Sequence, residues 1–314
     1  MNLNSYSAES PFSRKDLMAG GALLAFYLIT RITHLTVLPV FNDEAVYLHW
    51  AKLIEEDSGN LWISIEADSK KPLLIWLLVL GFKLFHDPLW AGRMVSVAAG
   101  MGSLVGIYLV GCRYHSRRVG QLGALLFVFS PYHLFFDRMV YEAALIDCFF
   151  IWSLWLTLSL VRGETQGSLF LYVGLAVVTG LGLLTQSVAV LFVFLPLLIT
   201  WIYSGEKKIL PWTMALPIYG SGIGLGALPY GILYFTVEKF PIKNYFIPTT
   251  HNLGQMGMLD LLAGIPVKLY GGVDGLLGYF FHYLTWPVFL SATVYFFWQF
   301  MKFERRDFIL LIYF

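Results

Sequence analysis

Residues 89–112 read LWAGRMVSVAAGMGSLVGIYLVGC, and residues 113–118, RYHSRR, follow them directly. The first stretch has one charged side chain, Arg93, near its start. About 20 mainly apolar residues are enough for a helix to cross the hydrocarbon core of a bilayer. The stretch therefore predicts a transmembrane helix, and the positive-inside rule places the arginines that follow it in the cytoplasm.

The composition of the whole chain agrees with a membrane protein. Its 314 residues are 58% hydrophobic and 13% charged, whereas a soluble domain is about 45–50% apolar and about 25% charged. The excess apolar surface has to face lipid or pack inside a bundle, which predicts an all-α, polytopic transmembrane helix bundle. The net charge of +1 implies no basic surface for nucleic acid.

The other apolar runs extend this pattern along the chain. The predicted spans are about 17–40, 89–112, 119–136, 143–161, 168–185, 187–203, 211–235 and 277–300. The first run is too long for a signal-peptide core, so it should anchor the chain, with the tail 1–16 in the cytoplasm. Every predicted inner loop then contains Lys or Arg: Arg113, Arg117, Arg118, Arg162, Lys207, Lys208, Lys302, Arg305 and Arg306.

The predicted first outer loop, 41–88, has two notable parts. Residues 42–71 are polar, with seven acidic and three basic side chains, and Ala45–Ile54 has the apolar spacing of a short helix on the membrane surface. Pro72–Phe85 is apolar but shorter than a span. If it crossed the bilayer, the arginines of 113–118 would lie outside, so we expect it in the outer interface. The first loop is thus predicted to carry interfacial helices.

The end of the chain resembles the beginning of another span, at 307–314. We therefore expect residues 17–314 to form a transmembrane domain that is incomplete at its C-terminus, with a second outer segment at 237–276. Cys112 and Cys148 should lie near opposite membrane faces, which argues against a disulfide or a metal site.

Once the chain is oriented in this way, its unusual polar residues gather at the outer face. Ionisable groups at membrane depth are costly and are functional candidates by default. The candidates are Asp43, Glu44, Lys70, Lys71, Arg93, Arg138, Glu142, Asp147 and Gln186.

Such a group of acids and bases suits sugar transfer from a polyprenyl phosphate, whose reactive carbon lies at the headgroup level. A carboxylate would take the proton of the acceptor hydroxyl, and cations would hold the phosphate leaving group. Asp43 fits the first role. Lys71, Arg93 and Arg138 fit the second.

Several short motifs resemble those of the GT-C glycosyltransferases, in the branch of protein O-mannosyltransferases and aminoarabinose transferases. They occur in the family's order over about 30–205. The matching elements are the Asp-Glu motif in Asn42–Ala51, Lys71-Pro72-Leu73, the Arg93 element in Asp87–Ser96, Ser130-Pro131 followed by Arg138 and an acid, and Gly180–Thr185.

The resemblance implies a multi-pass enzyme of the cell (plasma or inner) membrane with an extracytoplasmic active site. It would transfer a hexosyl or pentosyl group with inversion, from a polyprenyl-phosphate sugar to a lipid, glycan or protein acceptor. Membrane lipid is a further expected partner. Some relatives use a divalent ion and others need none, which leaves the metal open.

The roles that follow are expectations. Asp43 is the expected general base, and Glu44 and Glu142 would orient the acceptor or a metal. Lys71, Arg138 and Arg93 would bind the donor phosphate, with Lys70, Asp147 and Gln186 as further candidates. Gln186 replaces the family's Lys. The second functional acid is either Glu142 or Asp147, and the position of Glu142 beside Arg138 favours Glu142.

Other interpretations of the same residues stay open. Asp43 and Glu44 could only cap a helix, Arg93 could be a structural tie to Asp87, and Lys70 and Lys71 could be interfacial anchors. For the whole chain, the alternatives are a transporter or lipid flippase and a catalytically inactive membrane scaffold.

Overall fold

The computed structural model describes residues 14–68, 70–114, 116–162, 169–191, 220–229, 231–232 and the single positions 194, 196, 199, 290 and 294. The regular elements within these ranges are all helical, which confirms the predicted all-α fold class. The predicted tail 1–16, the spans 187–203, 211–235 and 277–300, the outer segment 237–276 and the chain end fall wholly or partly outside the described residues.

Nine α-helices follow one another in the described part of the chain up to residue 191. They are α1 (Arg14–Ile32), α2 (Asn42–Glu56), α3 (Ile63–Asp68), α4 (Leu73–Leu84), α5 (Pro88–Tyr114), α6 (Arg117–Phe129), α7 (Pro131–Phe136), α8 (Glu142–Arg162) and α9 (Leu169–Thr185). Short 3₁₀ turns lie at Ser58–Asn60 and Ser187–Val190. Residues 220–229 are also helical, and Gly222 packs against Ala176 of α9.

Two of the described helices are long and apolar enough to cross a membrane, at Pro88–Arg113 and Glu142–Leu160. At 1.5 Å per residue, the 27-residue α5 is about 40 Å long and the 21-residue α8 about 31 Å. Shorter apolar helices lie at Met18–Ile32, Leu73–Leu84 and Leu169–Thr185. The 12-residue α4 reaches only about 18 Å, which agrees with the predicted interfacial piece; its place in the interface stays a prediction.

α5 is the central helix of the bundle, because two apolar cores meet on it. One core joins α5 to α2, α4 and α8 through residues that include Tyr47, Leu74 and Ala144. The other joins α5 to α1 and α6 through residues that include Tyr27 and Phe127. Small residues allow close approach, since Gly111 of α5 lies directly against Gly120 of α6. Cys112 and Cys148 are both free.

The first predicted span is shorter than the sequence suggested. Its apolar run continues to about Val40, but α1 ends at Ile32. His34 has a φ of 52°, a left-handed conformation that ends a helix. Arg138 then donates to the carbonyl oxygens of Thr33 and His34, at 3.0 and 2.8 Å, and the His34 carbonyl also accepts from the Val37 N–H at 3.2 Å.

The predicted span 119–136 is two helices. Proline has no N–H, and it disfavours a helical conformation for the residue before it. α6 therefore stops before Ser130, which is extended, and α7 begins at Pro131. The break leaves the Val128 carbonyl without a helical partner, and Arg31 of α1 donates to it at 2.7 Å.

Candidate functional site

Polar side chains from several described segments meet at one end of the helix bundle. This end contains the last turn of α1, the starts of α2, α5 and α8, the segment 137–141, and the two lysines before α4. The other end holds an ion pair of Arg117 with Asp16, at 2.7 Å. The arginine-rich 113–118 segment is thus separated from the polar cluster, as the sequence predicts. Which end faces the cytoplasm stays a prediction.

The Arg93 side chain is fully buried and bound within the protein. Its Nε and Nη2 donate to the two carboxylate oxygens of Glu44, both at 2.8 Å. Its Nη1 donates to the Leu35 carbonyl at 2.7 Å, and Nη2 also reaches the Pro39 carbonyl at 3.4 Å. Such two-pronged pairing suits the planar guanidinium group and is stronger than a neutral hydrogen bond. Arg93 therefore ties the start of α5 to α2 and to the chain after α1.

The Glu44 carboxylate is equally enclosed, with a residue exposure of 1%. Besides Arg93, it accepts from the backbone N–H of Val140 at 3.0 Å and from that of Phe41 at 3.3 Å. Phe41 is the N-cap residue of α2, so Glu44 caps this helix by accepting from an N–H group that has no partner within the helix. One carboxylate thus fixes α2 against α5 and the segment before α8.

Asp43 lies beside Glu44 but in a more open position. Its side chain is 33% exposed, and its Oδ1 lies 3.6 Å from Lys70 Nζ. The Lys70 ammonium donates to the Tyr47 hydroxyl at 2.9 Å, and this hydroxyl donates to Glu142 Oε1 at 2.6 Å. Burial, and then the neighbouring Glu142 carboxylate, raise the pKa of Tyr47, so its hydroxyl stays protonated. Three candidates from distant parts of the sequence are therefore joined through Tyr47.

Lys71 follows Lys70 directly and is partly buried. Burial lowers the pKa of its ammonium group, because a low-dielectric surrounding disfavours the charged form. A phosphate at this position would restore the preference for the charged form.

A second buried ionic group lies against α5 about two turns after Arg93, beside Gly100. Asp137 Oδ2 is 3.6 Å from Arg31 Nε and accepts from the Tyr27 hydroxyl at 3.1 Å. Gly100 of α5 provides the space, because a Cβ there would contact Tyr27 and lie 2.6 Å from Asp137 Cγ. Burial raises the pKa of Asp137 to about 6, although the nearby His133 and Arg31 act against the rise.

The remaining candidates do not join the Asp43 cluster directly. Arg138 uses Nη2 to cap the end of α1, as described above. Asp147 Oδ2 lies 3.5 Å from His133 Nε2. Gln186 follows α9 with an exposed side chain, and its backbone N–H donates to the Gly182 carbonyl at 3.1 Å. The six residues between α8 and α9 make these packed helices antiparallel, which brings Gln186 to the end of the bundle where Glu142 lies.

A comparison with protein-family models identifies the family of this chain. The model of the dolichyl-phosphate-mannose-protein mannosyltransferase family matches residues 69–225, which are 157 of the 314 residues. The chain belongs to this family. Comparisons with curated proteins and with solved structures gave no match.

Membership of the mannosyltransferase family confirms the predicted GT-C resemblance. It also makes the chain a membrane protein and supports glycosyl transfer as its activity. The matched residues include Lys71, Arg93, Arg138 and Glu142, whereas Asp43 and the rest of its motif precede the match. The roles predicted for individual residues stay predictions. Within the described ranges, no group of three or more His, Cys, Asp and Glu side chains is arranged to hold a metal ion.

The sequence assigned no functional role to Tyr47, Arg31 or Asp137, although the structure places all three at the polar end of the bundle. Tyr47 lies four residues after Asp43 on α2, a spacing that puts both on one side of a helix. Arg31 is a charged residue within the first apolar run, which alone makes it unusual. Asp137 adjoins Arg138 in the same turn. The tie expected between Arg93 and Asp87 is absent among the described contacts, because Asp87 instead accepts from the first N–H groups of α5.

Proposed function

We propose that this protein transfers one sugar residue from a polyprenyl-phosphate donor to an acceptor at the extracytoplasmic face of the membrane. Family membership supports a membrane glycosyltransferase that uses a lipid-linked sugar. The observation that carries the finer proposal is the open Asp43 carboxylate, held beside a lysine at the rim of a buried polar cluster. Side chains of this kind suit a reaction at the headgroup level of a lipid-linked donor.

In the proposed reaction, the oxygen of the acceptor hydroxyl attacks the anomeric carbon, and Asp43 takes the proton of that hydroxyl. The bond from that carbon to the phosphate oxygen breaks on the opposite side, so the configuration inverts. Asp43 suits this role because its side chain is 33% exposed, whereas Glu44 next to it is enclosed. A general base has to reach its proton within hydrogen-bond distance, which an enclosed carboxylate does not do.

The leaving polyprenyl phosphate gains negative charge, and Lys71 is the proposed cation that binds it. Lys71 adjoins Lys70, which lies 3.6 Å from Asp43, so it is near the proposed base. Arg138 is the second proposed phosphate ligand, since only its Nη2 is taken up by the end of α1. A cation that binds the developing charge lowers the barrier of the transfer step.

Arg93 and Glu44 receive a different role in this proposal. The sequence suggested a phosphate ligand and a group that orients the acceptor or a metal. Their two mutual and four main-chain contacts support a positioning role, in which the pair fixes the first turn of α2 and hence Asp43. Neither side chain then touches the donor.

The test is sugar transfer in membranes that contain the full-length protein, with labelled polyprenyl-phosphate sugars as donors. Wild type is compared with Asp43→Asn, Lys71→Ala and the control Lys52→Met, which removes an exposed lysine of α2 that pairs with Glu55. At equal expression, we expect transfer by wild type and by Lys52→Met, loss of transfer in Asp43→Asn, and a raised donor KM in Lys71→Ala. Equal transfer by all four proteins would remove Asp43 and Lys71 from the mechanism, whereas no transfer by any of them across several donors would contradict the proposed activity and favour a transporter or a scaffold.

A further inference from the structure

Glu142 lies in surroundings unlike those of Asp43, although both belong to one polar cluster. Glu142 is 8% exposed and Tyr47, to which it is bound, only 1%. The open members of the cluster are Asp43 and Lys70, with side chains 33% and 25% exposed. A substrate that approaches the cluster therefore meets Asp43 and Lys70, with Tyr47 and Glu142 behind them.

The hydrogen-bond directions along this cluster are fixed by chemistry. Glu142 is an acceptor when ionised, so the Tyr47 hydroxyl has to donate its only proton to it. The lone pairs of that hydroxyl then face outward, where the Lys70 ammonium donates to one of them at 2.9 Å. Lys70 also lies over the Tyr47 ring, with Nζ 4.6 Å from the ring centroid. Whether Glu142 accepts the Tyr47 proton therefore decides whether the Tyr47 hydroxyl is oriented to accept from Lys70.

Lys70 is in turn the group that faces Asp43. Its backbone N–H donates to the Ser64 carbonyl at 3.0 Å, which fixes the main chain, while its Nζ lies 3.6 Å from Asp43 Oδ1. Asp68 competes more weakly, because its Oδ2 is 3.9 Å away and its side chain is 62% exposed. Without the Tyr47 hydroxyl, the long Lys70 side chain would be free to turn towards Asp68 and water.

We propose that Glu142, Tyr47 and Lys70 form a chain of positioning residues that aims the Asp43 carboxylate at the acceptor hydroxyl. Glu142 orients the Tyr47 hydroxyl, the hydroxyl holds the Lys70 ammonium, and the ammonium fixes Asp43. This inference rests on the proposed function and deepens it. It gives Glu142 an action through Tyr47 in place of direct contact with the acceptor or a metal.

A double-mutant cycle on kcat tests the chain. Tyr47→Phe keeps the buried ring but removes both hydrogen bonds, and Lys70→Met keeps a long apolar side chain without the charge. Each single change should lower kcat about tenfold, the effect of one hydrogen bond to a charged group, with the donor KM changed less than about threefold. Because the residues act as a unit, the double variant should be no slower than Lys70→Met alone. Multiplicative losses would overturn the chain.

A matched pair of variants at Glu142 separates the two roles of this residue. Glu142→Gln keeps an oxygen that accepts from Tyr47, so its kcat should stay within about threefold of wild type, whereas Glu142→Ala should fall as far as Tyr47→Phe. Equal losses in both would overturn the inference, because they would mean that the carboxylate itself takes part. Lys70→Arg should recover part of the activity lost in Lys70→Met.

Thermal unfolding of the same variants in detergent gives a readout that does not depend on activity. The shifts in the unfolding midpoint for Tyr47→Phe and Lys70→Met should fall short of additivity, since the two residues share one hydrogen bond. Additive shifts would refute the chain even if wild type transferred no sugar, an outcome that by itself would refute the proposed function. Coupled unfolding with unchanged kcat would leave the chain a purely structural feature and so refute its role in positioning Asp43.

Discussion

Two buried arginine–carboxylate pairs lie against α5, about two turns apart, and they are built differently. Arg93 and Glu44 meet through two parallel hydrogen bonds of 2.8 Å, and main-chain groups occupy their other positions. Arg31 and Asp137 approach only to 3.6 Å. Among the described residues, Arg31 Nε, Arg31 Nη2 and Asp137 Oδ1 have no hydrogen-bond partner.

This difference shows how the surroundings decide what a buried ion pair does. Removing two charges from water costs several kcal/mol per ion, and only good geometry with further hydrogen bonds offsets that cost. The Arg93–Glu44 pair meets this condition and suits a fixed support for Asp43. The Arg31–Asp137 pair does not, and burial raises the pKa of its carboxyl group to about 6. We therefore expect substitution of the Arg93–Glu44 pair to lower stability much more than substitution of the Arg31–Asp137 pair.

The largest effect is expected from Arg93→Ala. It would leave the Glu44 carboxylate buried with only two backbone donors, and breaking a buried pair on one side costs about 3–5 kcal/mol. Chemical unfolding in detergent should show this loss in the free energy of unfolding. Arg93→Lys is the control, since it keeps the charge but loses the second parallel hydrogen bond. Its free energy of unfolding should lie between those of wild type and Arg93→Ala. A loss below about 1 kcal/mol, against the several expected of a buried pair, would mean that Glu44 finds other partners.

The second effect concerns pH and the Arg31–Asp137 pair. The pKa of Asp137 is about 6 in the folded protein, above its value of about 3.9 in an unfolded chain. Folding therefore favours the protonated carboxyl, and this stabilisation is complete below pH ~4 and lost as the pH rises through ~6. The difference amounts to about 3 kcal/mol.

Unfolding measured between pH 4 and 7 checks the size and the sign of this effect. Wild type should lose stability as the pH rises over that window, and Asp137→Asn should lose less, because Asn does not titrate. All other ionisable side chains are the same in both proteins, so the difference between the two slopes reports Asp137. A steeper slope in Asp137→Asn would contradict the prediction.

The sequence was sufficient to predict the all-α helix bundle and several of the residues at its polar end. Apolar runs of membrane length predict helices whatever their neighbours are, and motif order identified Asp43, Lys71 and Glu142 as candidates. Pro131 separates α6 from α7, whereas the apolar run through it had predicted one span over 119–136. Apolar length and composition thus predict that helices form, but not where they break.

The pairing of these residues was beyond the sequence. Glu44 and Arg93 are 49 residues apart, and nothing in their spacing shows that they form a bidentate pair. Arg93 seemed suited to a phosphate because an arginine near a membrane interface has the right chemistry, and only the fold reveals that its donors are used internally. Tyr47 shows the same limit, because its link to Glu142 depends on how α2 and α8 pack.

The third effect tests the space around the weaker pair. In Gly100→Ala, the new Cβ would contact the Tyr27 hydroxyl and lie 2.7 Å from Asp137 Oδ2, so both groups have to move. Overpacking of this kind costs about 1–3 kcal/mol. Gly20→Ala in α1 is the matched control, since a Cβ there has no neighbour within 4 Å and alanine favours a helix over glycine. Equal unfolding free energies for the two variants would show that Gly100 is not needed to accommodate Asp137.

The smallest effect is expected from removing the weaker pair altogether, with Arg31→Met and Asp137→Leu combined. Replacing a buried ion pair by apolar residues is often neutral or stabilising, because the cost of burying the charges disappears with them. The swap also leaves the Val128 carbonyl without the donor that Arg31 provides at 2.7 Å. Because this loss offsets the gain, we expect an unfolding free energy within about 1 kcal/mol of wild type.

The parallel swap Arg93→Met with Glu44→Leu should be clearly destabilising. It leaves the N–H groups of Phe41 and Val140 and the Leu35 carbonyl without partners. Unfolding in detergent measures both. If the two double variants lost equal stability, the difference in hydrogen bonding between the pairs would have no energetic meaning, and the positioning role of Arg93 and Glu44 would lose its physical basis.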